Sequence, residues 1–184
     1  MLIEAVIGQR LGEYKTGSNE VVEPTVCRHI TEHMKQFTKK MQEYIDQSTY
    51  DPINVRTKTG HWRQLTLRSN EEKDLLAIFV FDKKDLTDEE IQNEKEKLSE
   101  FLKKNFENNP ENEHLKLKSL LFNLNTNRSG ISRMDNLDLI FGVNYLNESL
   151  LGLNFQISPL AFFQCNFPFF IFEFYLPLNH DYFI

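Results

Sequence analysis

Between Pro24 and Pro52 the apolar residues Val26, Ile30, Met34, Phe37, Met41, Tyr44 and Ile45 recur chiefly at steps of three and four, the spacing that lines one face of a helix. Residues 25–47 are therefore read as an amphipathic helix packed on a core. The two prolines punctuate it, because proline donates no amide and discourages helix in the residue before it. The period then shortens to two. In "GHWRQLTLRSN" Leu65 and Leu67 fall on one side of a strand, with Trp62, Gln64, Thr66 and Arg68 on the other. The next stretch, "EKDLLAIFVFD", is rich in β-formers, so the pair reads as a hairpin turning at "SNEEK".

A second helix is predicted in "LTDEEIQNEKEKLSEFLKKNF". Thr87 precedes Glu90 by three residues, as in a capping box, and Leu86 and Ile91 stand where a hydrophobic staple clamps the first turn. Its acidic start and Lys103-Lys104 finish match the helix dipole. Beyond the polar "ENNPENEH" come the strand-like pieces "LKLKSLLFNLN", "LDLIFGVNYLNES" and "LGLNFQIS", the first two separated by the loop "NTNRSGISRMDN". The order is opening strands, helix, two strands, helix, then several strands, without the βαβ alternation of a doubly wound sheet. The expected fold class is α+β, a mainly antiparallel sheet with two amphipathic helices.

Composition narrows the chemistry. Charged residues at 26% and apolar residues at 40% describe an ordinary globular chain, and a net charge of −6 is the wrong sign for an autonomous nucleic-acid binder, so any RNA contact has to be local. Cys27 and Cys165 are too few for a disulfide framework and lie at no metal-ligand spacing, which fits a reducing compartment and no bound metal. The start "MLIEAVIGQRLGEYK" has the look of neither a secretory signal nor an organelle presequence. The closing apolar run is broken by Pro168, Glu173 and Pro177 and is shorter than the roughly 20 residues a membrane helix needs. There is no phosphate-cradling glycine loop and no zinc spacing.

One cluster remains. Arg56, Lys58, His61, Trp62, Arg63 and Arg68 interleave cations with an aromatic ring around one predicted strand, a pattern suited to gripping phosphates and stacking on a base. The alternative is a solvated strand face with Trp62 half buried.

Three blocks, "QRLGEYKTGS", "YDPINVRTKTGHWRQLTLRS" and "LLGLNFQISPLAFFQCN", in this order and at this spacing, resemble the tRNA (uracil-5-)-methyltransferase homologues of the RNA uracil-C5 methyltransferase family. The resemblance covers residues 7–166. It implies that residues 1–166 are the family's central α+β domain, which in relatives leads into a Rossmann-like S-adenosylmethionine domain. It further implies the chemistry: a cysteine thiolate adds to C6 of a flipped-out uridine in the tRNA T-loop, S-adenosylmethionine methylates C5, and a base removes the C5 proton. Covalent addition is needed because C5 is a poor nucleophile until C6 is saturated.

The family's nucleophile stands in a Ser-Cys-Asn-Pro context that this sequence does not contain. Cys165 sits where relatives carry Val or Ile and reads as a small packing residue, and Cys27 has no neighbour that would depress a thiol pKa. Two positions carry over singly: Gln164, matching the glutamine that contributes to the S-adenosylmethionine site, and Phe162, matching an aromatic near the target-base pocket. From the residues alone, a capping glutamine and a core phenylalanine are at least as good readings, and only the resemblance tips the choice toward the site roles.

After Asn166 the register of resemblance is lost, and "FPFFIFEFYLPLNHDYFI", residues 167–184, reads as an aberrant apolar tail. The family's Arg-Asn-Lys strand before "GQRLGEYK" is missing as well. The expectation is therefore a fragment, inactive alone, with weak tRNA affinity and little cofactor binding. Its compartment is read as cytoplasm or nucleus ahead of the mitochondrion. A non-catalytic RNA-binding or interaction module is the competing reading.

Overall fold

The structure, a computed structural model, describes residues 9–10, 21–22, 30–54, 57–107, 115–127 and 137–161. Two short strands, β1 (Gln9–Arg10) and β2 (Val21–Val22), pair antiparallel. They precede α1 (Glu32–Gln47), the hairpin β3 (Trp62–Ser69) and β4 (Asp74–Asp82), and α2 (Asp88–Leu102). A π-helical turn, Lys103–Glu107, then leads to β5 (Lys116–Asn125), β6 (Leu137–Gly142), β7 (Leu146–Leu150) and β8 (Leu153–Ile157).

The main sheet has four strands in the order β3-β4-β5-β6, and β7 and β8 form a separate hairpin. The pairs β3–β4 and β5–β6 are antiparallel, whereas β4 and β5 run parallel with α2 as the crossover. The pairing is mainly antiparallel, as expected, with one exception at the centre, where a β4–α2–β5 unit makes the main sheet mixed. The reason lies in β4 itself. Its run "LLAIFVF" is buried on both faces, the pattern of a central strand that has a parallel neighbour rather than of a half-solvated antiparallel one.

Both helices cover one face of the sheet. Phe37, Met41, Tyr44 and Ile45 of α1 and Ile91, Leu98 and Leu102 of α2 meet Leu75, Ala77, Phe79 and Phe81 of β4 and Leu120 and Phe122 of β5. Phe79, Phe81 and Phe122 are buried, so truncating any one to alanine should cost about 3–5 kcal/mol through lost transfer energy and an unfilled cavity. The opposite face carries Leu76, Ile78 and Leu121, on which Leu146 of β7 packs.

Local signals explain the ends. Helix α1 begins at Glu32 with Thr31 extended as its N-cap, later than the apolar stripe implied; the positions of Val26 and Cys27 lie outside the described residues. Helix α2 has the expected capping box: Glu90 donates its amide to Thr87 Oγ1 at 3.3 Å, and the Thr87 amide donates to the Glu90 carboxylate at 2.8 Å. Leu86 packs against the core cluster that contains Ile91. The stretch read as one piece, "LDLIFGVNYLNES", is two strands parted after Gly142, whose φ of +84° places it in the left-handed region.

Between the helices and the sheet lies a buried polar chain. Trp62 Nε1 donates to Ser48 Oγ at 3.0 Å, and Ser48 Oγ and Tyr44 Oη donate to Glu94 Oε1 at 3.2 and 2.8 Å. Burial first, and then the Glu94 carboxylate beside it, push the Tyr44 phenol well above its ordinary pKa. The tyrosine therefore stays a hydrogen-bond donor at any working pH.

Candidate nucleic-acid interface

The loop that enters β3 folds back on itself. The Asp51 carbonyl accepts from the His61 amide at 2.7 Å, the Ile53 amide donates to the Trp62 carbonyl at 2.8 Å, and the Asn54 amide donates to the Thr59 carbonyl at 2.8 Å. Gly60 makes this approach possible, since its φ is +87° and a Cβ there would lie 2.0 Å from the Pro52 carbonyl oxygen. Lys58 sits at the exposed tip with φ +59°. Lys84 braces the loop, its ammonium donating to the carbonyl oxygens of Lys58 and Gly60.

A β-bulge then decides which way each β3 side chain faces. Trp62 pairs with Phe81 and Gln64 with Val80, so Arg63 is the extra residue. From Gln64 onward the alternation is regular: Gln64, Thr66 and Arg68 stand opposite Val80, Ile78 and Leu76, while Leu65 and Leu67 stand opposite Phe79 and Ala77. Without the bulge Trp62 would share the face of Gln64 and Arg68, as a strict period of two predicts. With it, Trp62 turns to the helix-covered core, edge-on to Tyr44, Phe79, Phe81 and Phe122, with 6% exposure. The expectation of an accessible base-stacking tryptophan is corrected on that ground: the indole has no exposed face to offer.

The cations are also sorted. Arg63 clasps Asp82 with both arms, Nε to Oδ1 at 2.6 Å and Nη2 to Oδ2. Asp82 is buried at 5% exposure and takes a further hydrogen bond from Asn125 Nδ2 at 2.6 Å. His61 Nδ1–H donates to the Asp82 carbonyl at 2.8 Å, and its ring stacks on Phe81. Lys83 pairs with Asp88, and that ammonium holds the Asp88 carboxyl below its ordinary pKa. Arg68 makes no ion pair with the described residues, and Lys58 offers its ammonium at an exposed turn.

The interleaved cluster thus separates into a structural part, Trp62 with Arg63 and His61, and two cations without an ion-pair partner among the described residues, Arg68 on the edge strand of the main sheet and Lys58 at the loop tip. Arg56, Phe162, Gln164, Cys27, Cys165 and residues 167–184 lie outside the described residues. Asp82 and Asn125, which anchor Arg63, were not singled out from sequence. The available signal is an aspartate closing an apolar strand, in the strand next to an arginine whose partner is unassigned.

Among the described residues no group of three or more His, Cys, Asp or Glu is placed to hold a metal ion, and no helix is long and apolar enough to cross a membrane.

No protein-family model matches the chain. Its relatives do. It is 35% identical over 164 residues, 88% of its length, to human tRNA (uracil-5-)-methyltransferase homolog A, and 37% identical over 163 residues to the mouse protein of that name. It is 32% identical over 160 residues to human tRNA (uracil-5-)-methyltransferase homolog B. The chain spans about a quarter of the length of the type A relatives and about a third of type B. Among solved structures, that of Pyrococcus abyssi tRNA (uracil-54, C5)-methyltransferase in complex with S-adenosyl-L-homocysteine matches 79% of this chain and 31% of its own, with a TM-score of 0.53 at 18% identity. That likeness speaks for the fold, and the sequence relatives speak for descent. On their identity across most of its length, the chain belongs to the family of the tRNA (uracil-5-)-methyltransferase homologs A and B.

Proposed function

We propose that this chain forms the RNA-contacting central segment of a transferase that methylates C5 of the T-loop uridine in tRNA, with S-adenosylmethionine as the methyl donor. The identity of 35–37% over 88% of the chain to relatives named tRNA (uracil-5-)-methyltransferase homolog A carries the reading. The geometry supports a specific division of labour. Arg68 and Lys58 supply phosphate contacts, and the Arg63–Asp82–Asn125 junction with the Trp62 core holds the β3 edge and its loop in place. A chain that is acidic overall then binds RNA at one local site rather than over a broad basic surface.

The methyl donor supplies the carbon that is transferred. Gln164, the position the family pattern assigns to it, lies outside the described residues. On this reading the described residues act on the RNA. With no Ser-Cys-Asn-Pro nucleophile motif in the sequence, the 184-residue polypeptide is expected to form no 5-methyluridine by itself.

The test is a graft. Residues 30–161 replace the matched segment of human homolog A, and 5-methyluridine in tRNA is measured by nucleoside mass spectrometry. Methylation that falls on Arg68→Ala, mainly through KM, supports the proposal. A folded graft that binds tRNA without methylating it favours the non-catalytic RNA-binding reading instead. A folded graft that does neither overturns the proposal.

A further inference from the structure

Three polar side chains on β3 have no part in the core. Gln64, Thr66 and Arg68 project from the same face of an edge strand, each opposite a buried apolar residue of β4: Val80, Ile78 and Leu76. Elsewhere that face is closed by apolar packing, including Leu146 of the β7–β8 hairpin. Gln64 is exposed and Thr66 and Arg68 are half-buried. The side chains are also ordered among themselves, Gln64 Nε2 donating to Thr66 Oγ1 at 3.0 Å.

That one bond fixes what the strip presents outward. Gln64 keeps its carbonyl oxygen as an acceptor and one amide hydrogen as a donor. Thr66, having accepted at its oxygen, has its own hydrogen to donate. Arg68 presents a guanidinium without an ion-pair partner among the described residues. In a strand, residues two apart lie about 6.6 Å from each other along the chain, so the groups form a short row, acceptor and donors first and cation last. A row of neutral hydrogen-bonding groups beside a cation complements a sugar next to a phosphate. The 2′-hydroxyl, both donor and acceptor, is the group that separates RNA from DNA at such a site.

We propose that Gln64, Thr66 and Arg68 form a sugar–phosphate recognition strip for single-stranded RNA. Arg68 takes a phosphate, and the Gln64 carbonyl, set by Thr66, accepts a hydrogen bond from a ribose 2′-hydroxyl. The inference rests on the reading of β3 as an RNA-facing edge and adds to it a preference for ribose. It is a proposal about backbone chemistry, and the strip reads no base.

The experiment uses the full 184-residue chain and a fluorescein-labelled single-stranded 12-mer made as RNA, as 2′-O-methyl RNA and as DNA of the same base sequence with uracil retained. Binding is followed by anisotropy at low salt, and the fold of each variant is checked by circular dichroism. The parent should bind RNA about three- to ten-fold tighter than DNA, the span of one neutral hydrogen bond, and 2′-O-methyl RNA should behave like DNA, having lost the donor. Gln64→Ala should remove the preference while leaving DNA binding unchanged, whereas Arg68→Ala should weaken all three ligands. Equal binding of RNA and DNA by the parent, or a preference that survives Gln64→Ala, overturns the strip. If Arg68→Ala still weakens binding in that case, the RNA-facing edge stands without it. Absence of RNA binding by the parent, or indifference to both substitutions, removes the strip and the edge together.

Discussion

Replacing Arg63 with alanine separates the structural cation of β3 from the RNA-binding one. Its guanidinium clasps Asp82 in a two-armed pair, and the Asp82 side chain is 7% exposed against 21% for Arg63. Removing one partner of a fully buried pair costs about 3–5 kcal/mol, because a buried charge is left behind. Here the arginine is partly solvated and Asn125 still donates to Asp82, so a cost of about 2–3 kcal/mol is expected. For a chain of this size that lowers Tm by about 4–12 °C. Urea unfolding of Arg63→Ala, Asp82→Ala and the double variant gives the coupling energy, expected at about 1–3 kcal/mol. Below its own unfolding transition, Arg63→Ala should bind tRNA as the parent does, with the same dependence on salt. A coupling energy near zero, together with a salt slope reduced by about 0.7–0.9 log units, would mean that Arg63 is unpaired in solution and contacts phosphate, and the division drawn here between Arg63 and Arg68 would fail.

Other outcomes follow from the same structure. Arg68→Ala should reduce tRNA affinity and lower the salt slope by about 0.7–0.9 log units without a change in Tm; an unchanged slope returns Arg68 to the solvated surface. Trp62 is the sole tryptophan, so its emission should be blue-shifted, resist acrylamide, and stay unquenched when RNA binds; strong quenching by RNA would place the indole at the interface after all. Thr87→Ala should cost about 1 kcal/mol through loss of the α2 cap, read as a lower urea midpoint. Burial raises the Glu148 pKa, the Glu71 and Glu72 charges adding to this against amide hydrogen bonds from Ser149 and Glu71. With the folded value above the unfolded one, the stabilising contribution is present at low pH and is lost as pH rises through the glutamate range. Glu148→Gln should therefore raise Tm at pH 7 and have little effect near pH 4; destabilisation at pH 7 would contradict that sign.

Local chemistry made much of this fold legible in the sequence. The three-and-four spacing of Phe37, Met41, Tyr44 and Ile45, the Thr87–Glu90 capping box and the turn between Ser69 and Asp74 all depend on residues within a few positions of each other. Tertiary structure alone decided the rest. A strand's alternation holds only until a bulge, and the extra residue at Arg63 reverses the faces before it, sending Trp62 from the expected binding surface into the core. The parallel pairing of β4 with β5 joins segments separated by α2 and depends on both faces of β4 being covered, which is a property of the assembled sheet. The same holds for charge: in the sequence Arg63 and Arg68 are equivalent cations, and they part company because folding brings Asp82 and Asn125 to one of them and to the other no partner among the described residues. Spacing along a chain determines which side chains share a local face, but the partner that neutralises a charge comes from whichever strand lies beside it.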